Sequence, residues 1–204
     1  MPSGDSRVSA NVHEVDSTLA DRSRQLGVVL DTAQRASLRG YVDIMKKWTR
    51  TYNLTAVRSD ENMLTHHILD SLAVVPHIEG KRLVDVGSGA GLPGIPLAIA
   101  LPACDVTLVE AVQKKVAFLR QAVIDLGLRN VTVVGTRAFA HLREFISVAG
   151  HLCSTGGIIA AMKGIFPQEE IDAIPKGYHV ERTVKLDVPG LNAERHLILV
   201  KRDG

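Results

Sequence analysis

The sequence predicts an α/β fold: a mainly parallel sheet with helices on both faces, a helical extension ahead of it and an antiparallel hairpin closing it. Three observations carry this. From Lys81 onward, short apolar runs alternate with helix-period segments, the pattern of parallel strands joined by crossover helices. Leu83–Gly94 (LVDVGSGAGLPG) is a strand that breaks into glycines and enters an apolar segment through Pro96. Near the C-terminus, Tyr178–Asp187 and His196–Lys201 are extended runs joined through Pro189-Gly190, which predicts an antiparallel hairpin.

Taken in order, residues 1–14 mix Gly, Ser and charge without periodicity and read as a disordered tail. They lack the apolar core of a signal peptide. Residues 15–80 form the helical extension. Val15–Leu26 is a modest amphipathic helix. In the next one Leu38, Tyr41, Val42, Met45 and Trp48 recur at helical spacing, with Asp31 or Thr32 as the N-cap. Ser59 or Asp60 caps a further helix through His67, Asp70 and Leu72. Adjacent His66 and His67 point about 100° apart on a helix, so they are read as non-ligands, and no metal is expected.

Residues 81–204 form the main domain. Leu83–Val86 is a strand and Ile95–Ala100 starts a helix. Val106–Val109 is a strand ending at Glu110, and Gln113–Leu126 a helix closed by Gly127. Val131–Val134 is a strand, Ala138–Leu152 a helix, and Gly156-Gly157 turns into the strand Ile158–Met162. One interval is short. Between Asn130 and Phe139 there is room for one strand, where a doubly wound sheet of this kind needs two. About 15 residues are wanting. Val131–Val134 is even readable as the start of one strand spliced to the end of another. Either the chain is unusual here or a segment is missing from it. The second reading is favoured, because losing a central strand opens a hole in the core.

Composition bounds the function. The 204 residues suit one domain with an appendage, and the 46% apolar and 23% charged fractions are those of a soluble globular protein. A net charge of +2 provides no global basic field, although a local patch is enough for nucleic acid. Cys104 and Cys153 lack metal-ligand spacing and read as core residues in a reducing compartment. No apolar run reaches the length of a membrane span. A cytoplasmic enzyme with no membrane partner is the expectation.

The glycine stretch is the first candidate site. Gly takes φ > 0 at little cost and lets a ligand approach the backbone. The following helix start is expected to offer unpaired N–H groups and a positive dipole end. Two patterns fit. Gly89–Gly94 matches the dinucleotide fingerprint G-x-G-x-x-G. Asp85–Gly91 matches D-x-G-x-G-x-G, which resembles the S-adenosylmethionine loop of class I methyltransferases, a Rossmann-like fold. The acid favours the second, since a carboxylate there suits the amino group of a methionine moiety and repels a pyrophosphate. Glu110 ends the second strand about 20 residues on, where this fold places a carboxylate for ribose hydroxyls. Arg137, between a strand end and a helix start, is placed to face the same cleft. Lys163, Gly164 and Arg195 end or open strands at that edge, within reach of an anionic substrate. From Arg35 to Arg58 six cations (Arg35, Arg39, Lys46, Lys47, Arg50 and Arg58) face one anion, Asp43. That run is either a solvated helix face or a phosphate-binding surface.

Several of these segments together resemble one family. They are Asn53-Leu54-Thr55-Ala56-Val57, His67–Leu72 (HILDSL), Asp85–Ala98, Thr136-Arg137-Ala138, Lys163-Gly164 and Glu194-Arg195-His196. The combination is similar to the RsmG (GidB) family of 16S ribosomal RNA guanine-N7 methyltransferases, from about Leu19 to Lys201. The resemblance implies S-adenosyl-L-methionine as cofactor and 16S ribosomal RNA or the small ribosomal subunit as partner, with a monomeric enzyme expected. It implies cofactor contacts from Gly87, Leu92 and Arg137, beside the candidates Asp85, Gly89 and Gly91 from the loop and Glu110 from the second strand end. A further cofactor-contacting stretch of the family falls in the short interval after Val134, so it is not assigned. Thr136 stands where the family commonly has Ser. Candidate RNA contacts are Arg39, Lys46, Lys47, Arg50, Arg58, Lys163 and Arg195. Guanine N7 carries a lone pair and no proton, so no catalytic base is expected. Phe139 is a candidate stacking partner for a base, although a core role suits it better.

Three other classes stay in competition. They are a methyltransferase for another RNA or a small molecule, an NAD-type dehydrogenase using Gly89–Gly94, and a ribosome-binding module with a vestigial cofactor site.

Overall fold

In the computed structural model, residues 16–52, 63–135 and 158–203 are described. Arg58, Arg137, Phe139, Cys153, the expected helix Ala138–Leu152 and the caps Ser59 and Asp60 lie outside the described residues, as does the tail 1–14. The elements run α1 (16–25), α2 (Thr32–Tyr52), then α3, a π-helical stretch Leu64–Leu69 continued by Asp70–Leu72. After these come β1 (Arg82–Val86), α4 (Gly94–Ala100), β2 (Asp105–Glu110), α5 (Gln113–Asp125) and β3 (Val131–Gly135). β4 (Ile158–Lys163), α6 (Gln168–Asp172), β5 (Tyr178–Lys185) and β6 (His196–Arg202) complete the chain. α6 was not expected from the sequence; its five residues are too few to show a period.

Local chemistry explains the boundaries. Asp31 settles the choice of N-cap for α2: its carboxylate accepts from the Gln34 N–H at 2.8 Å, and the Gln34 side chain accepts from the Asp31 N–H at 2.9 Å. This reciprocal pair satisfies two donors at the helix start. α5 ends at Gly127, whose φ of +63° suits glycine, with the Leu128 N–H reaching back to the Val123 carbonyl at 3.0 Å. The last carbonyls of α4 are taken by side chains from elsewhere. Gln34 Nε2 donates to Ile99 and Ala100, and Asn130 Nδ2 donates to Ala98 and Cys104.

The strands form two three-stranded sheets among the described residues. One is parallel in the order β1-β2-β3, with Val84 opposite Thr107 and Glu110 opposite Gly135. The other is antiparallel in the order β4-β6-β5, which bears out the C-terminal hairpin, with a bulge between Val180 and Arg182. The sequence pattern predicts one sheet, so the division among the described residues is a difference. Among the described residues β1 has β2 as its one bonded neighbour and is partly exposed along its length. β2, paired on both sides, buries Val106, Leu108, Val109 and Glu110. β4 likewise has one bonded neighbour.

The extension and the sheets share one hydrophobic cluster. Leu38, Tyr41 and Met45 of α2 meet Leu69 and Leu72 of α3, Ile95 and Leu97 of α4, Phe118 and Leu119 of α5, and Leu197 and Leu199 of β6. Complete burial of a Leu, Met or Phe side chain contributes about 1.5–3 kcal/mol, so α2 is bonded to the fold by its packing. A smaller cluster on the second sheet (Ile159, Ala161, Ile198, Val200) takes Ile171 and Ile174 against it, and also Val86 from the end of β1.

Candidate active site

The turn after β1 is tied from four directions. Gly87 and Ser88 N–H groups donate to the Val109 carbonyl at 2.7 and 3.1 Å, anchoring the turn to β2. Gly91 and Leu92 N–H groups donate back to the Ser88 carbonyl at 2.6 and 3.0 Å. Gly89 N–H donates to Glu110 Oε2 at 2.7 Å, and Gly94 N–H to Asp85 Oδ2 at 3.1 Å. Tyr41, arriving from α2, donates its hydroxyl to the Ala90 carbonyl.

The glycines differ in what they do. Gly87 (φ +76°) has nothing within 4 Å of where a Cβ would stand, and Gly89 (φ +60°) has only the Gly87 carbonyl, at 3.7 Å. Both leave open space beside the turn at the carboxyl end of β1, room that a ligand against the backbone requires. Gly91 faces inward instead: a Cβ there would stand 2.6 Å from Ile95 Cδ1 and 3.0 Å from Leu119 Cδ2. Packing demands Gly91. Gly94, not singled out in the sequence, is held more tightly still, at 2.2 Å from Leu108 Cδ2 and 2.6 Å from Asp85 Oδ2. Its signal was present as the last glycine of the dinucleotide-like pattern.

Two acids frame the turn. Glu110 is buried, and its carboxylate accepts from Ala111 and Val112 N–H groups at 2.8 Å each besides Gly89. Three donors on one carboxylate leave acceptor capacity for a further hydroxyl. Asp85 sits beneath the turn. Burial pushes its carboxyl up to about 7, the Gly94 N–H and the Ser88 hydroxyl pull the other way, and neighbouring Glu110 adds to the rise. The expected free N–H groups at the start of α4 are partly used internally, Gly94 by Asp85 and Ile95 by the Gly91 carbonyl at 2.7 Å. The anion-binding part of the expectation is therefore weakened, while the acid-bearing turn stands. The open space at Gly87 and Gly89 and the two acids suit a cationic, ribose-bearing ligand.

The basic candidates separate into paired and exposed groups. Arg39 ion-pairs with Asp16, which also takes Arg35 at 3.1 Å; Lys46 lies 3.5 Å from Asp43. Lys47 and Arg50 are exposed, one turn apart on α2. Lys163 at the end of β4 binds both oxygens of Glu170, at 2.9 and 2.7 Å. Arg195 is more deeply committed. Its Nε donates to both Asp70 oxygens at 3.0 and 2.8 Å, joining β6 to α3. Asp70 is only 9% exposed; burial raises its carboxyl pKa, and Arg195 opposes that rise. The loop between β4 and α6 exposes Ile165 and Phe166, with the Phe166 ring 5.4 Å from His196 and edge-on to it.

A glycine turn after the first strand, an acid beneath it and a second acid at the end of the next strand define a class I, S-adenosylmethionine-dependent methyltransferase. The fold agrees: a solved SAM-dependent methyltransferase from Aquifex aeolicus superposes with a TM-score of 0.54 at 19% identity, covering 69% of this chain and 93% of that one. The chain belongs to the GidB family, rRNA small subunit methyltransferase G, which matches residues 34–198. It is 50% identical to the Ribosomal RNA small subunit methyltransferase G of Neisseria meningitidis serogroup C (strain 053442), over 85% of this chain and 91% of that protein. With the protein of the same name from Nitrosospira multiformis the identity is 47%, over 91% and 97%.

Proposed function

We propose that this chain transfers a methyl group from S-adenosyl-L-methionine to N7 of one guanine in 16S ribosomal RNA, as free RNA or in the small subunit. The observation that carries the reading is the tied turn: Gly87 and Gly89 open to the carboxyl edge, with Asp85 below and Glu110 beside them. Gly87, Gly89 and Leu92 are proposed to line the cofactor, Glu110 to accept from its ribose and Asp85 to favour its amino group. Gly91 acts through packing, and Arg137 keeps the cofactor role that the resemblance implies.

Bound there, the cofactor supplies an already activated methyl group on a sulfonium sulfur. Guanine N7 presents an in-plane lone pair and has no proton to lose, so no side chain has to act as a base. The residues instead supply alignment. The tied turn holds one reactant fixed, and orientation of this kind is worth several kcal/mol of barrier. A base reaches the site most readily from a loop or a splayed strand. Lys47 and Arg50 are proposed as the principal phosphate contacts of α2, because they are exposed. Arg39 and Lys46 contribute field with part of their charge already matched, and Arg58 extends the same run. Lys163 and Arg195 are proposed to face RNA at the carboxyl edge while held by Glu170 and Asp70.

Calorimetric titration of the purified protein with S-adenosylmethionine, with NADH as control, tests the cofactor. Binding of S-adenosylmethionine alone is the expected result. NADH binding without it selects the dehydrogenase reading. Reversing Lys47 and Arg50 to Glu then tests the acceptor, with weakened use of ribosomal RNA and unchanged cofactor binding expected.

A further inference from the structure

α2 is fastened along one face at three positions seven residues apart. Gln34 Nε2 donates to the last carbonyls of α4. Tyr41 donates to Ala90 in the turn that precedes α4. The Trp48 ring packs edge-on to Phe118 of α5, 5.5 Å between centroids. Seven residues are two helical turns, so these side chains fall on one stripe, each about 10 Å further on. α4 itself is seven residues long. α2 therefore lies against α4 as a splint, touching its C-terminal end with Gln34 and the turn at its N-terminal end with Tyr41. At Gly40 the backbone comes close enough that a Cβ would be 3.4 Å from Leu126.

Tyr41 stands apart from the other core residues of α2. Leu38, Val42 and Met45 need only volume, whereas Tyr41 is fully buried and brings a hydroxyl. A buried hydroxyl is costly unless bonded, and here its partner is a carbonyl inside the glycine turn. Burial, and secondarily the nearby Asp85 carboxylate, push the phenol well above its usual pKa, so it remains a donor across the working range. The turn has three glycines at positive φ and would otherwise have many shapes available.

We propose that Tyr41 is a positioning residue for the cofactor turn: its hydroxyl, delivered by α2, holds the Ala90 carbonyl and presets the turn in its binding shape. This rests on reading the turn as the S-adenosylmethionine site. The extension then does more than present basic side chains to RNA. Removing the hydroxyl frees the turn, and binding must pay to order it, which reduces affinity without touching the reacting atoms.

The test is calorimetric titration of S-adenosylmethionine and S-adenosylhomocysteine into the native protein, Tyr41→Phe and Leu38→Ala. Tyr41→Phe should weaken binding of both ligands about five- to twentyfold, the range for one hydrogen bond. At saturating cofactor its kcat and its KM for RNA should stay within twofold of native. Leu38→Ala, a cavity on the same helix, should lower the melting temperature but leave affinity within twofold. Tyr41→Met, similar in length and without a donor, replaces Tyr41→Phe should the latter not fold, with the same weakening expected. Unchanged affinity in the Tyr41 variant overturns the proposal, and so does an equal loss in Leu38→Ala. A native protein that binds neither ligand overturns the cofactor reading and this proposal together. Native binding with a silent Tyr41 variant overturns only this one.

Discussion

Glu110→Gln is the perturbation with the most to say about the site. The carboxylate accepts from three backbone N–H groups, one across the turn at Gly89 and two at the approach to α5, at 2.7–2.8 Å. An amide keeps one accepting oxygen and turns the other position into a donor. If the oxygen stays with Ala111 and Val112, the Gly89 N–H meets an NH2 group; if it turns to Gly89, two N–H groups lose their partner. Hydrogen bonds to a charged group are worth about 1.5–3 kcal/mol each, and a buried unpaired donor adds its own cost. With Glu110 only 5% exposed, water does little to soften the loss. The expected destabilisation is about 2–4 kcal/mol. For a chain of this length it lowers the melting temperature by about 5–12 °C. Cofactor affinity should fall at least about tenfold, because the proposed ribose partner is weakened and the turn is released at Gly89. Differential scanning calorimetry and a binding titration read both effects. A melting temperature within 1 °C of native and an affinity within about twofold would refute the account of the turn, since that is well below one hydrogen bond.

Two further outcomes follow from the same geometry. Asp85, raised to about 7, must be charged to favour a cationic amino group, so affinity for S-adenosylmethionine should improve as pH rises through about 7. The folding stability contributed by its raised carboxyl pKa is present at low pH and lost between about pH 4 and 7, and Asp85→Asn should flatten both dependences relative to native, measured by titration from pH 6 to 8 and by melting from pH 4 to 8. Arg195→Met leaves the Asp70 carboxylate buried without its partner and should cost about 2–4 kcal/mol in urea denaturation; Asp70→Leu added to it should recover part of that loss.

Much of this was legible in the sequence because local signals agreed with the fold. The Leu83–Val86 strand, the glycine turn and the Gly127 stop are each written in a few consecutive residues, and the structure places them as read. The Tyr178–Lys185 and His196–Arg202 hairpin is equally local. What escaped was long-range pairing. Nothing near Arg195 in sequence announces Asp70, 125 residues away, and nothing near Tyr41 announces Ala90. Tyr41 was read as core from its period, correctly, but a period cannot report where a hydroxyl points. Gly91 shows the opposite difficulty: the motif marks it for the ligand, and only the distances to Ile95 and Leu119 show that packing demands it. The short interval after Asn130 was legible in the sequence, whereas the division of the described strands into two sheets needed the strand pairing to be seen.

The most direct measurement is methyl transfer from radiolabelled S-adenosylmethionine to purified small ribosomal subunits and to free 16S RNA, followed by nucleoside analysis, with Gly87→Asp as control. Gly87 is exposed and has open space around it, so an Asp side chain there stands in the ligand's place without a clash, and its φ of +76° costs only about 1–2 kcal/mol, leaving the variant folded. Label in 7-methylguanosine of 16S RNA with the native protein, and none with Gly87→Asp, is the predicted result. No label in guanosine with the native protein, or undiminished label with the folded variant, would contradict it.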